Sequence, residues 1–256
     1  MFDIKNKDFT YYKYEELIKA IIDSNYKVYT IFDWYKNKPK QGIVIRHDID
    51  RWAKNALNIA KLENYYGIKT TYYFRKTKSS FKPEIIKEIA EMGHEIGYHY
   101  EDLSLANGDF EKAKELFKLH LENLRIIEEV KTCAMHGRPF SKFDNRDLWN
   151  KYNLQDFGLL AEAFLTVDYT ETYYFTDTGR SWADNSANLR DKVKTNKKAN
   201  IETTDELINF IKKNNIEKIA IVMHPERWGK DEIKYLKSKS IDGIINIIKN
   251  LIRKNK

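Results

Sequence analysis

Apolar and polar positions along this chain follow two periods, and the switch between them marks the elements. Residues 13–24 (KYEELIKAIIDS) place apolar side chains at helical spacing and predict an amphipathic helix. Residues 26–34 read as extended, before a turn at Lys38-Pro39. From Gly42 the pattern becomes regular. GIVIRHD (42–48) is apolar and β-branched, as in a buried strand. Residues 52–66 carry Ala53, Ala56, Leu57, Ala60 and Leu62 at helical spacing, with Gly67 as a stop. KTTYYFR (69–75) predicts a strand, and KPEIIKEIAEM (82–92) a helix with Pro83 in its first turn. HEIGYH (94–99) is a short strand, 109–130 a long helix and KTCAMHG (131–137) the next strand. Beyond these, 164–167 and 172–176 read as strands, 204–214 as a helix and KIAIVMH (218–224) as a very apolar strand. The end, IDGIINIIKNLIRKN (241–255), reads as an amphipathic helix. Residues 178–203 are polar and without period, so a long loop is expected there; such loops inside a domain are often functional.

Strand–helix alternation with short links implies parallel strands joined by right-handed crossovers. A doubly wound sheet and a barrel both fit, and 256 residues suffice for either. No apolar run approaches the roughly 20 residues that span a bilayer. The N-terminus MFDIKNKDFTYYKYEE lacks an apolar signal core, which leads to an expectation of a cytoplasmic protein. The single cysteine, Cys133, excludes an internal disulfide and suits a reducing compartment. The net charge is +7. It is spread over lysines on helix-like segments and forms no dense basic stripe, so nucleic acid is not an expected partner. The surplus still suits an acidic or phosphate-bearing carbohydrate.

Histidine placement changes the picture most. Of six histidines, His47, His94, His99, His136 and His224 lie on or at the ends of expected strands, and His120 lies in a helix. Parallel α/β folds place ligands at the carboxyl ends of their strands. His99, His136 and His224 fall at such ends, as do Asp48 and Asp50. Residues two apart on a strand share a face, so Asp48 and Asp50 would address one cavity while Ile49 turns away. One carboxylate could bind a metal and the other act as base; the competing reading has Asp50 capping the helix near Trp52. His99 and Glu101 repeat the spacing of two. His94, at the opposite end of its strand, reads as structural. Arg138 follows His136 by two and offers a planar fork to a carboxylate, either a catalytic aspartate or a substrate group. His224 ends its strand just before Pro225 and could serve as general acid. Asp177 and Trp182 are weaker candidates, Trp182 as a wall for a sugar or simply as core.

RHDID (46–50), GHEIGYH (93–99), GRPF (137–140) and IVMHPERW (221–228) stand in the order found in the polysaccharide deacetylase superfamily. The chain thus resembles that NodB-homology group, carbohydrate esterase family four, in a divergent branch with an H-D-x-D first motif. The resemblance covers about residues 42–228. It implies a distorted seven-stranded (β/α) barrel, with residues 1–41 an N-terminal extension packed on it, within one domain spanning 1–256. It also implies a divalent metal, zinc with nickel or cobalt as alternatives, and removal of an N-acetyl or similar acyl group from a sugar. Carried over residue by residue, Asp48 matches the base, Asp50 the metal aspartate (the two roles could be exchanged), and His99 the first metal histidine. Arg138-Pro139 matches the motif that orients the base, and His224 the acid. One position departs: the second metal histidine, four residues after His99, is here Leu103. His136, Glu101 and Asp102 are candidates for the vacant role, and His136 is favoured.

These readings lead to metal-assisted hydrolysis of an acyl-sugar, from a glycan or sugar-nucleotide in glycan or surface-polysaccharide biosynthesis. The rival from another class is a non-catalytic carbohydrate-binding protein on a degenerate barrel. A third reading, a phosphoesterase, fits the charge but lacks ligands for the usual two-metal site.

Overall fold

The computed structural model describes residues 3–138, 140–183, 188–213 and 215–254. Helix α1 (Tyr11–Asp23) is capped by the Thr10 side chain, which accepts from the Lys13 N–H. Strand β1 (Val28–Tyr29) is short, because Thr30 caps a helix, α2 (Ile31–Asn37), where an extended segment to residue 34 is expected. The alternating stretch follows: β2 (Gly42–Ile49), α3 (Ala53–Tyr65), β3 (Thr71–Phe74), α4 (Pro83–Glu91) and β4 (Glu95–Tyr100). Then come α5 (Asp102–Leu105), α6 (Phe110–Arg125), β5 (Thr132–Met135), β6 (Ala161–Glu162) and β7 (Tyr173–Thr176). The chain closes with α7 (Thr204–Lys212), β8 (Lys218–Met223) and α8 (Glu232–Lys254).

Two further expectations are corrected. Residues 164–167 are not a strand. The Glu162 carboxylate accepts the N–H groups of Phe164 (2.7 Å) and Leu165 (2.8 Å), which turns the chain there and leaves β6 just two residues long. The last helix starts at residue 232 rather than 241, where Asp231 accepts the Lys234 N–H at 2.9 Å. Residues 178–203 carry no helix or strand among the described residues, as their polarity suggests.

All pairings are parallel, in the order β6-β5-β4-β3-β2-β8-β7, with β1 added beside β2. The side-chain alternation shows how this sheet curls. Val44, Tyr73, Ala134 and Ala220, from four different strands, meet in one inner cluster with Ala163 just past β6 and with Ile31 and Trp34 of α2. Ile43, Ile45, Ile49, Tyr72, Phe74, Ile96 and Ile221 face the opposite way, into the layer beneath the helices. The seven-stranded sheet is thus the distorted (β/α) barrel expected, open between β6 and β7. Every strand therefore delivers its carboxyl end to one rim. Gly97 is needed inside the barrel: a Cβ there would stand 2.2 Å from the Tyr73 ring.

Candidate active site

A cavity of about 660 Å³ opens at that rim. β2 brings Asp48 and Asp50 to it, β4 brings His99 and Glu101, and β5 brings His136. β8 brings His224, and Arg75 comes from the end of β3. Asp48 and Asp50 share the inner face while Ile49 is buried in the outer layer. Asp50 caps nothing: the residue before α3 is Trp52, which makes no side-chain cap and has φ +53°.

Asp50 sits between two imidazoles. Its Oδ1 is 3.4 Å from Nε2 of His99 and 3.4 Å from Nε2 of His136. That oxygen is buried and has no hydrogen-bond partner. The other ring nitrogens are committed. His99 Nδ1 donates to the Ala134 carbonyl at 2.9 Å, and His136 Nδ1 donates to Glu101 Oε2 at 3.1 Å. Carbonyl and carboxylate oxygens only accept, so each Nδ1 carries its proton, and it is Nε2 of each ring that faces Asp50. Burial works against the Asp50 carboxylate, but the neighbouring His136 and His99 hold its pKa well below the ordinary value. Asp48 lies beside this group, with Oδ2 4.0 Å from His99 Nε2 and Oδ1 without a partner.

One oxygen and two imidazole nitrogens make a donor set for a borderline divalent ion. The two 3.4 Å separations match the roughly 3.3 Å edge of a tetrahedral site with ligands about 2.0–2.1 Å from the ion. As the side chains stand, no three His, Cys, Asp or Glu among the described residues close into a cage that could hold a metal. The chemistry of the donors and the orphaned Asp50 oxygen fit an ion; the cage is not closed. Leu103 is buried in the outer layer on α5 and takes no part. Asp102 is engaged by His120 (2.7 Å) and the Tyr98 hydroxyl (2.7 Å), away from the cavity. Glu101 is held by Arg75 (2.6 Å) and serves as the acceptor behind His136.

Across the cavity, His224 and Asp177 form a dyad. His224 Nδ1 donates to Asp177 Oδ1 at 2.7 Å, and its backbone N–H to Oδ2 at 3.0 Å. Trp228 Nε1 (2.8 Å) and Arg227 (2.5 Å) complete the Asp177 shell. Burial and Arg227 push the His224 pKa down, but the Asp177 carboxylate outweighs them and the ring ends at about 9. It carries a proton at neutral pH. Asp177 is thus the partner of His224. Trp182 is core: it packs on Phe9 and Trp228, with its N–H on Thr204.

Arg138 reaches Glu101 at 3.4 Å rather than Asp48, so the role of orienting the base does not fall to it here. Pro139 lies outside the described residues. The arginine on Asp48 is Arg46, buried inside the barrel, 3.4 Å from Oδ2 and stacked on Phe164. His47 and His94 point outward to Glu63 (2.8 and 3.7 Å) and are structural.

Three further groups shape the mouth. Glu226 is buried, and its Oε2 has no partner. Burial, with Asp50 nearby, lifts its pKa to about 7. Arg190, from the long loop, grips the carbonyls of Gly137 (2.6 Å) and Ser141 (2.7 Å). Asp191 accepts from Tyr174 (2.6 Å) and Thr176 on β7 and lies 3.6 Å from Arg46. The loop thereby bridges the gap between the two ends of the sheet.

No family model matches the chain, and no curated protein matches it. Among solved structures it is similar to a Streptococcus mutans CE4 esterase, at 11% identity over 88% of this chain and 89% of that one, with a TM-score of 0.47. It is also similar to a family 4 carbohydrate esterase from Bacillus anthracis, at 14% identity over 96% and 86%, TM-score 0.40. A third is Bacillus subtilis PdaA, a family 4 carbohydrate esterase, at 16% identity over 92% and 84%, TM-score 0.41.

Proposed function

We propose that the chain is a divalent-metal-dependent hydrolase that removes an acyl group, as an N-acetyl or similar substituent, from a carbohydrate in glycan biosynthesis. The observation that carries this reading is the unpartnered Asp50 oxygen between two histidines whose free nitrogens both face it, opposite a protonated His224. Asp50, His99 and His136 would hold the ion, which when bound acidifies water and polarises the acyl carbonyl. Zinc suits this donor set, with nickel or cobalt as alternatives. Asp48, with one oxygen unpartnered on the cavity side of the barrel, takes the proton from the attacking water. His224, held by Asp177, gives its proton to the departing amine or alkoxide. Leu105, Phe140 and Phe164 supply apolar contact for the sugar and acyl group. The non-catalytic alternative drew its support from Leu103, and His136 beside Asp50 weakens that ground.

Asp48→Ala is expected to lower deacylation of acetylated sugars by roughly 10²–10⁴-fold while metal content stays unchanged. His136→Ala is expected to lose the metal. Retained full turnover in the first variant, or retained metal in the second, sinks the assignment of the residue concerned. Absence of bound metal and indifference to chelators in the unaltered protein sinks the hydrolase reading itself.

A further inference from the structure

Helix α8 is amphipathic in the reverse sense for a helix packed on a water-soluble barrel. The residues it buries are largely polar: Ser238, Asp242 and Lys249, with Tyr235. Asp242 pairs with Arg51 at 2.6 Å and Arg180 at 2.9 Å, and Ser238 accepts from Arg180 at 2.6 Å. Asp242, Ile245, Asn246 and Lys249 line the cavity, so the polar side of α8 is one wall of its mouth. The apolar side faces outward. Ile233 is 79% exposed, Leu236 44%, Ile244 59%, Ile247 62%, Ile248 38% and Leu251 56%. At 3.6 residues per turn, these six fall within about 60° of a single line opposite the buried one. Soluble monomers rarely leave so continuous an apolar stripe in water.

Charge decides what covers it. Residues 230–256 hold eight Lys or Arg against three Asp or Glu, so most of the chain's net +7 resides on this segment. Two such helices brought face to face would repel each other. An anionic surface would instead neutralise the lysines while it takes up the isoleucines, which is the combination that holds a helix in a lipid headgroup layer. No helix among the described residues is long and apolar enough to cross a membrane, so α8 would lie on the surface. We propose that α8 lays its outer face on an anionic lipid bilayer, with the cavity mouth held beside that surface. This inference stands independently of the reaction proposed above.

Flotation of the full chain with vesicles tests it. Binding to phosphatidylglycerol–phosphatidylcholine vesicles should exceed binding to phosphatidylcholine alone by at least tenfold, and weaken as salt is raised. Ile244→Ser, Ile247→Ser and Leu251→Ser together should lower binding at least tenfold with an unchanged circular-dichroism spectrum. Should that variant unfold, Lys234→Glu with Lys237→Glu should give the same loss. Equal or absent binding to both vesicle types overturns the proposal. So does a dimer by light scattering that the serine variant disperses, which would give the face to a second copy of the chain.

Discussion

The proton on His224 depends on one neighbour. Asp177 is fully buried and held ionised by Arg227 and His224 despite its burial, and it keeps the His224 pKa near 9. If His224 must be protonated to act as acid, activity persists up to about pH 9 and falls above it. Asp177→Asn removes the charge that raises the pKa. The alkaline limb of the pH–rate profile should then move toward lower pH, with a loss of ~10²-fold in kcat. An unmoved limb would mean that another group is the acid. The sequence made Asp48, Asp50, His99, His136 and His224 readable because each closes or follows an apolar run, where a charge has few structural uses. Arg46 was unreadable for the converse reason: it lies within the run, and a pattern of residues does not say which face of a strand becomes the inside of a barrel. Asp191 sits on a loop whose path no periodicity encodes. Arg75 did leave a signal, a charge two residues beyond Tyr73 at a strand end.

Between elements, a buried polar cluster ties α1, α3, β2 and β3 together. Glu63 on α3 accepts from the Tyr14 and Tyr72 hydroxyls, from Thr70 at 2.8 Å, and pairs with His47 at 2.8 Å. Burial opposes its charge, but His47 and the hydroxyls hold its pKa at about 2. A depressed carboxyl pKa stabilises the fold above the unfolded value near 4.5. That contribution, on the order of 3 kcal/mol, is lost as pH falls from about 4.5 toward 2. Glu63→Gln should remove most of this acid sensitivity, and urea titrations at pH 7 and pH 3 would show it as a smaller difference between the two. Gly97→Ala should cost about 1–3 kcal/mol by overpacking against Tyr73, read as a lower Tm. Element boundaries were legible where a single cap or apolar run sets them. They failed at Thr30 and Glu162, where one side chain bonded to nearby N–H groups redirects the backbone, a competition that hydrophobic period does not register.

At the scale of the whole molecule, the expected barrel is present, but its circumference is not a continuous ladder of backbone bonds. An ion held as proposed would link β2, β4 and β5, so zinc should raise the Tm of the unaltered protein and leave that of Asp50→Ala unchanged; a thermal melt with and without metal decides this. Among the described residues no strand pairing joins β6 to β7. The long loop spans this seam through Arg190 on one side and Asp191 on the other. Arg190→Ala should therefore raise KM more than it lowers kcat, since it frees the mouth without touching the groups that move protons. In a closed barrel the hydrogen-bond ring fixes the girth. Here the aperture is set by a stretch of chain held by a few side chains. Insertions and deletions there can resize the entrance for longer or bulkier substrates while Asp50, His99 and His136 stay in place, so the seam is where this architecture is most free to acquire new substrates.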